Sequence, residues 1–306
     1  MRRPRPVLRT AIAVLTSAVL VGACVAKDHG ATGIRPATRD VTAMGAQRPL
    51  PDTPPPDAAK VALDGLESRI QQATLQAAAS GAEISVLVLD RVTGKTVSNG
   101  DDSPFPIASV AKLFIADDLL LQEAKGQTQL SPADRTALEV MLRSSDDNAA
   151  ENFWNRSGGS EIITRVTERY GLTATTTPYN GRWFNTLSTA SDLVRYYDKL
   201  LDGSGGLPAQ QASIIVSNLA QSTPTGIDGY SQQFGIPDAL YAEPVAVKQG
   251  WMCCWNGGNW MHESTGVIGW DRRYVMAIGS MQPTDDSMAR ETITQAVKTM
   301  FPGGRI

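Results

Sequence analysis

The chain has 306 residues, 42% of them hydrophobic and 19% charged, enough for one large globular domain or two modest ones. Its formal net charge of −3 includes Arg2, Arg3, Arg5 and Arg9, which lie in a first stretch of 23 residues that holds no acid, so the remainder carries −7. A mature protein that acidic has no electrostatic attraction to nucleic acid or, by itself, to anionic lipid, and nucleic acid is set aside as a partner.

Met1 to Arg9 is basic, Thr10 to Val21 is apolar, and the small residues Gly22 and Ala23 precede Cys24. That order is a secretory signal over 1–23, and its apolar run falls short of the roughly 20 residues a membrane span needs. Val21-Gly22-Ala23-Cys24 resembles a bacterial lipobox. The resemblance implies an exported protein held at the outer face of the cell membrane through a lipid on Cys24. Residues 24–56 carry Pro36, Pro49, Pro51 and the run Pro54-Pro55-Pro56 without apolar periodicity, so they read as a disordered tether. His29 falls within it.

The folded domain is expected over 57–306. Val61, Leu66, Ile70, Ala73 and Ala77 recur at helical spacing and predict a first helix that ends near Gly81. Glu83 to Asp90 is rich in strand formers, and Val92 to Lys95 turns the chain into a second short strand. A helical block follows, at about 109–125, 132–142, 147–156, 160–170, 189–201 and 208–220. Strand patterns return at about 244–251, 259–269 and 272–281, and Ile293, Ala296, Val297 and Met300 mark a last amphipathic helix. Strands at both ends of the chain and helices between them predict one α+β domain with a mostly helical lobe inserted into it.

Many chemistries are missing from this chain. It has two histidines, and His262, between Met261 and Glu263, is read as structural because no partner group is visible in sequence. No set of three or four convergent metal ligands stands out, and neither a metal nor a cofactor is expected. Ser109-Val110-Ala111-Lys112 remains. Its lysine lies one helical turn beyond its serine, on the same face, and the flanking Phe105, Ile107, Leu113, Phe114 and Ile115 suggest burial. A serine hydroxyl becomes a nucleophile when a neighbour removes its proton, and a lysine whose pKa is lowered by burial can do so. The same spacing also suits a helix-capping serine beside a surface lysine.

Two further segments make a pattern. Ser145-Asp146-Asp147-Asn148 joins two helices, and Lys248-Gln249-Gly250-Trp251 ends an apolar strand. An S-x-x-K, an S-D-N-like turn and a K-T-G-like strand in that order resemble the serine β-lactamase and penicillin-binding (D,D-peptidase) family, and within it the LppW-type lipoproteins of actinobacteria. The resemblance implies an antiparallel sheet with the N- and C-terminal helices packed on it. It implies Ser109 as the acylated nucleophile, Lys112 as its proton partner, Ser145 as a relay to the leaving group and Lys248 as the cation that holds Ser145 and a substrate carboxylate. It also implies an oxyanion hole from the backbone N–H groups of Ser109 and Trp251. Asp147, Asn148, Gln249, Gly250 and Trp251 are the expected substrate contacts, and a peptidoglycan fragment or a β-lactam is the expected ligand.

The departures from that pattern bear on activity. An aspartate at 147 in the asparagine position replaces a donating amide with an acceptor, whereas a register shifted to Asn148 restores the amide. Gln249 stands where a threonine hydroxyl is usual, and its amide offers a substitute donor. No Asp or Glu occurs between Gly171 and Ser188, the region that in class A β-lactamases holds the glutamate of deacylation. Efficient β-lactamase action is therefore not expected. The first expectation is a ligand-binding member with a degenerate site, and the alternative is an active Ser-Lys hydrolase or acyltransferase. Cys253-Cys254 leaves three states open: a vicinal disulfide, two thiols on opposite strand faces, or pairing between chains.

Overall fold

The computed structural model of the protein describes residues 63–306; the signal segment 1–23, Cys24, the tether 24–56 and residues 57–62 lie outside the described residues. The first helix, α1 (Leu66–Ala79), buries Leu66, Ile70, Ala73 and Ala77, the stripe that the spacing predicts. Strands β1 (Glu83–Asp90) and β2 (Lys95–Ser98) form a hairpin, and a two-residue strand β3 (Phe105–Pro106) leads into a 3₁₀ turn over Ala108–Ala111. Helices α2 (Lys112–Ala124), α3 (Pro132–Arg143), α4 (Asp147–Arg156) and α5 (Glu161–Tyr170) follow. A second two-residue strand, β4 (Leu187–Ser188), precedes α6 (Ala190–Asp202), α7 (Ala209–Leu219) and the short α8 (Ile236–Ala239). The chain closes with β5 (Val245–Trp255), β6 (Asn259–Ile268), β7 (Tyr274–Gln282) and α9 (Asp286–Met300).

Five of the strands make one antiparallel sheet in the order β2-β1-β7-β6-β5, so the N-terminal hairpin pairs with the last strand and β5 forms an edge. Both faces are covered. On one, Leu66, Ile70, Ile293 and Val297 of α1 and α9 pack with Val86, Met276 and Ile278. On the other, Tyr196 and Tyr197 of α6 and the helical lobe pack with Val275 and Ala277. Two-sided burial is why β1 and β7 read as nearly continuous apolar runs rather than alternating ones.

Helix α2 is the axis of the helical lobe: every residue from Lys112 to Leu121 is buried, so it is apolar on all sides except where it carries charged groups inward. Two of those, Asp117 and Asp118, are neutralised by Arg169 and Arg165 of α5. Helix α3 starts at a capping box between Ser131 and Asp134, with Pro132 in its first turn. Helix α4 starts at Asp146, whose side chain accepts from the Ala149 amide. The sequence pattern misses β3, β4 and α8, which are too short to show a period. Strand β5 runs four residues beyond the predicted Trp251, through a register irregularity between Met252 and Trp255.

Candidate active site

Ser109 sits in the 3₁₀ turn between β3 and α2. Pairing of Phe105 with Ser188 and of Pro106 with Leu187 fixes the approach, and the Ile107 amide donates to the Thr186 carbonyl at 2.9 Å. The preceding residue, Ala108, has φ +42°, a left-handed conformation that is costly for alanine and persists only where the surroundings impose it. Gly250 is part of that surrounding. A Cβ there would come within 2.6 Å of the Ile107 carbonyl oxygen, so only glycine lets the edge strand β5 press against the turn.

Lys112, the first residue of α2, is fully buried. Its Nζ lies 2.8 Å from Ser109 Oγ, 3.1 Å from Ser145 Oγ, 2.7 Å from the Ser145 carbonyl and 2.6 Å from Asp147 Oδ1. An ammonium has three protons for these four acceptors, so at least one of the four contacts is without a lysine proton at any moment. Ser145 turns its hydroxyl into the site from a backbone with φ +57° and is also reached by Lys248 Nζ at 2.9 Å. Burial lowers the Lys112 pKa, opposed by the carboxylates of Asp147, Asp146 and Asp228. Burial lowers that of Lys248 further, and the nearby Lys112 charge adds to the effect. Two lysines bridged by one hydroxyl in a dry site do not both carry a proton easily.

The expected substrate contacts divide. Ser109, Asp147 and Trp251 line a cleft of about 240 Å³ with Asp228, Trp183, Phe184 and Met252. Asp147 therefore occupies the asparagine position of the S-D-N-like turn. Asn148 is exposed and lies on the far side of α4, among Asp146, Asn152 and the α3 residues Ala133 and Ala137, so the shifted register is corrected. Its reason is the cap: with Asp146 bonded to the Ala149 amide, residue 147 begins the helix on the cleft side. Gln249 also leaves the cleft. Strand alternation turns it to the sheet face opposite Lys248, where its amide donates to the Phe234 and Gln232 carbonyls at 2.6 and 3.2 Å and offers no substitute for the threonine hydroxyl.

Further neighbours complete the site. Trp183 sets its ring 4.7 Å from Lys112 Nζ and donates its indole N–H to Glu151 at 3.1 Å. It stands in the acid-free loop between Gly171 and Ser188. Asp228 is brought in by a loop whose Ile227 amide donates to the Ser144 carbonyl at 2.7 Å. Behind the turn, Glu263 of β6 is 2% exposed, with cross-strand glycines on both sides, Gly250 and Gly279, and no hydrogen bond to its Oε2. Burial alone raises its pKa to about 8, which leaves it protonated near neutrality.

His262 faces away from Ser109. It is buried, with Nε2 2.7 Å from the Tyr230 hydroxyl, which in turn bonds Asp286, and burial lowers its pKa to about 4. Tyr230 stacks on Trp251 with ring centres 4.6 Å apart, and so braces the cleft rim from behind. Cys253 and Cys254, both exposed beyond Met252, are bonded to each other. The bulge in β5 and the positive φ of Cys254 (+68°) remove the alternation that would hold two strand thiols apart.

A model of the β-lactamase enzyme family matches residues 65–137. Proteins named as lipoprotein LppW from Mycobacterium bovis and Mycobacterium tuberculosis are 63% identical over 256 residues, which cover 84% of this chain and 81% of theirs. The fold is similar to that of a β-lactamase from Chitinophaga pinensis, with TM-score 0.61, 15% identity and coverage of 76% of this chain and 98% of that one. It is also similar to the class A β-lactamase from Mycobacterium abscessus, with TM-score 0.60, 20% identity and coverage of 76% and 97%.

Proposed function

Because the chain belongs to the serine β-lactamase-like family, on the LppW lipoprotein branch, we propose that its domain accepts an acyl group from a cell-wall peptide or a β-lactam onto Ser109 and releases it slowly, without efficient β-lactamase turnover. The observation that carries this reading is the unbroken chain of contacts Ser109 Oγ to Lys112 Nζ (2.8 Å), Lys112 Nζ to Ser145 Oγ (3.1 Å) and Ser145 Oγ to Lys248 Nζ (2.9 Å). Neutral Lys112 takes the Ser109 proton as Oγ attacks a carbonyl carbon. The resulting oxyanion is met by the Ser109 and Trp251 backbone N–H groups, donors of a kind worth about 3–4 kcal/mol in other enzymes. The proton passes through the Ser145 hydroxyl to the leaving group as the acyl–leaving-group bond breaks. Hydrolysis of the ester then needs a base for water, and no carboxylate stands in the loop that carries Trp183 and Phe184.

One observation favours a second reading, ligand binding without chemistry. Asp147 Oδ1, 2.6 Å from Lys112 Nζ, stabilises the protonated lysine and withholds the base. Under either reading the protein is exported and anchored through Cys24. Named lipoprotein relatives support that.

The test is intact-mass measurement of the full chain in detergent after incubation with a fluorescent penicillin, beside Ser109→Ala. A stoichiometric adduct that persists for hours and is lost in the variant is expected. Absence of an adduct with penicillins and with activated peptide esters alike overturns the acyl-transfer reading in favour of the second.

A further inference from the structure

The charges at the mouth of the cleft are negative, which suits a cationic group on the acyl donor. Both lysines are buried, Lys112 at 0% exposure and Lys248 at 1%, and each is spent on serine oxygens behind Ser109. The groups that reach solvent are two carboxylates, Asp147, whose side chain is 71% exposed, and Asp228. Among the described residues Asp228 has no ion-pair partner and no arginine lines the cleft. Its Oδ1 accepts from the Tyr230 amide at 3.0 Å, which fixes the carboxylate beside the Trp251 ring edge. Three aromatic side chains, Trp183, Phe184 and Trp251, supply the remaining walls, and Trp183 already presents its face to a cation, Lys112.

Resting on the acyl-transfer reading above, we propose that the acyl donor is a peptide-like amide or ester that carries a free amine, held between Asp228 and Asp147 against the aromatic walls while its carbonyl lies over Ser109. Carboxylates and aromatic faces attract an ammonium together, and each is worth more where the ligand is partly desolvated. The same two aspartates repel an anionic donor, so selectivity arises from exclusion as well as attraction. Burial lowers the Lys248 pKa and so disfavours the positive charge that would attract an anionic side chain.

The experiment uses three activated peptide esters identical except for a side chain ending in an amine, an acetamide or a carboxylate. Rates of Ser109 adduct formation on the full chain are read by intact mass at low and high salt. The amine donor is expected to react at least tenfold faster than the carboxylate donor at low salt, with the acetamide between them. Salt and Asp228→Asn should each compress the span, Asp228→Glu should preserve it, and Asp228→Lys should invert it. Equal rates, or a faster carboxylate donor, overturn the proposal. A parallel readout separates it from the chemistry: tryptophan fluorescence of Ser109→Ala titrated with Nα-acetyl-lysine amide and its Nε-acetylated form. Amine-selective quenching that Asp228→Asn abolishes supports the charge preference even where no donor acylates the protein, and the lack of any such selectivity sinks it.

Discussion

On the floor of the cleft, Ser109, Lys112, Ser145 and Lys248 are each no more than 6% exposed and are bonded to one another. At its rim, Asp147 and Asp228 are exposed, Cys253 and Cys254 close an exposed bulge, and Trp183 stands in the acid-free loop. The floor carries the serines and lysines of the three motifs, while the rim departs from the resembled pattern at Asp147 and in the acid-free loop. The physical reason is coupling. Each floor residue satisfies another buried polar group, so a change at one strands the rest in a dry site at about 1–3 kcal/mol each. A rim residue that faces water without a buried partner, as Asp228 does, leaves nothing stranded and is free to change with the substrate.

That contrast breaks if a floor substitution is mild or a rim substitution is fatal. Lys112→Ala removes both the base and the shared partner of two serines, and adduct formation should fall by about a thousandfold or more. Next, Lys248→Ala leaves Ser145 with one lysine partner instead of two. A loss of about a hundredfold is expected in the same assay. At the rim the sign reverses. Asp147→Asn removes a carboxylate that raises the Lys112 pKa and restores a donating amide, so the acid limb of the acylation pH profile should move to lower pH, and the rate near neutrality should rise by about tenfold. A rate lowered by that substitution would make Asp147 part of the floor after all. The smallest effect lies beneath both regions. Native Glu263 titrates near 8 against an ordinary 4.5, so the folded state holds a proton that the unfolded chain has released. Stability therefore falls as pH climbs from 4.5 to 8 and levels off above it. Glu263→Gln should lack that decline, so its melting temperature should gain on the wild type between pH 5 and pH 8.

Much of the fold was legible because burial leaves a period. Leu66, Ile70, Ala73 and Ala77 announce α1, and the run from Glu83 to Asp90 announces a strand covered on both sides. The serines and lysines of the site were legible from motif order. The orientation of Gln249 was within reach of the same reasoning, since adjacent strand residues face opposite ways and Lys248 was assigned to the cleft. The register of Asp147 against Asn148 was not, because either aspartate of the pair satisfies the cap equally well on paper. Asp228 was invisible for a different reason. A backbone bond from Ile227 to Ser144 delivers it from more than 80 residues away, and backbone bonds leave no mark in side-chain patterns. At Cys253 and Cys254 the sequence left three states open, and the bulge, by suspending strand alternation, selects the vicinal pair.

The pairing of β1 with β7 has a consequence in time. Eight residue pairs join segments more than 180 positions apart, and the remaining partner of β1 is the four-residue β2. A lone short hairpin is marginal in water. While the chain is being made, the first strands therefore have nothing durable to join until residues 274–282 emerge, and the turn that carries Ser109 has no β5 edge to press against. So high a contact order makes for slow, late assembly. The nucleophile of this protein comes into being only when its last sixty residues have arrived.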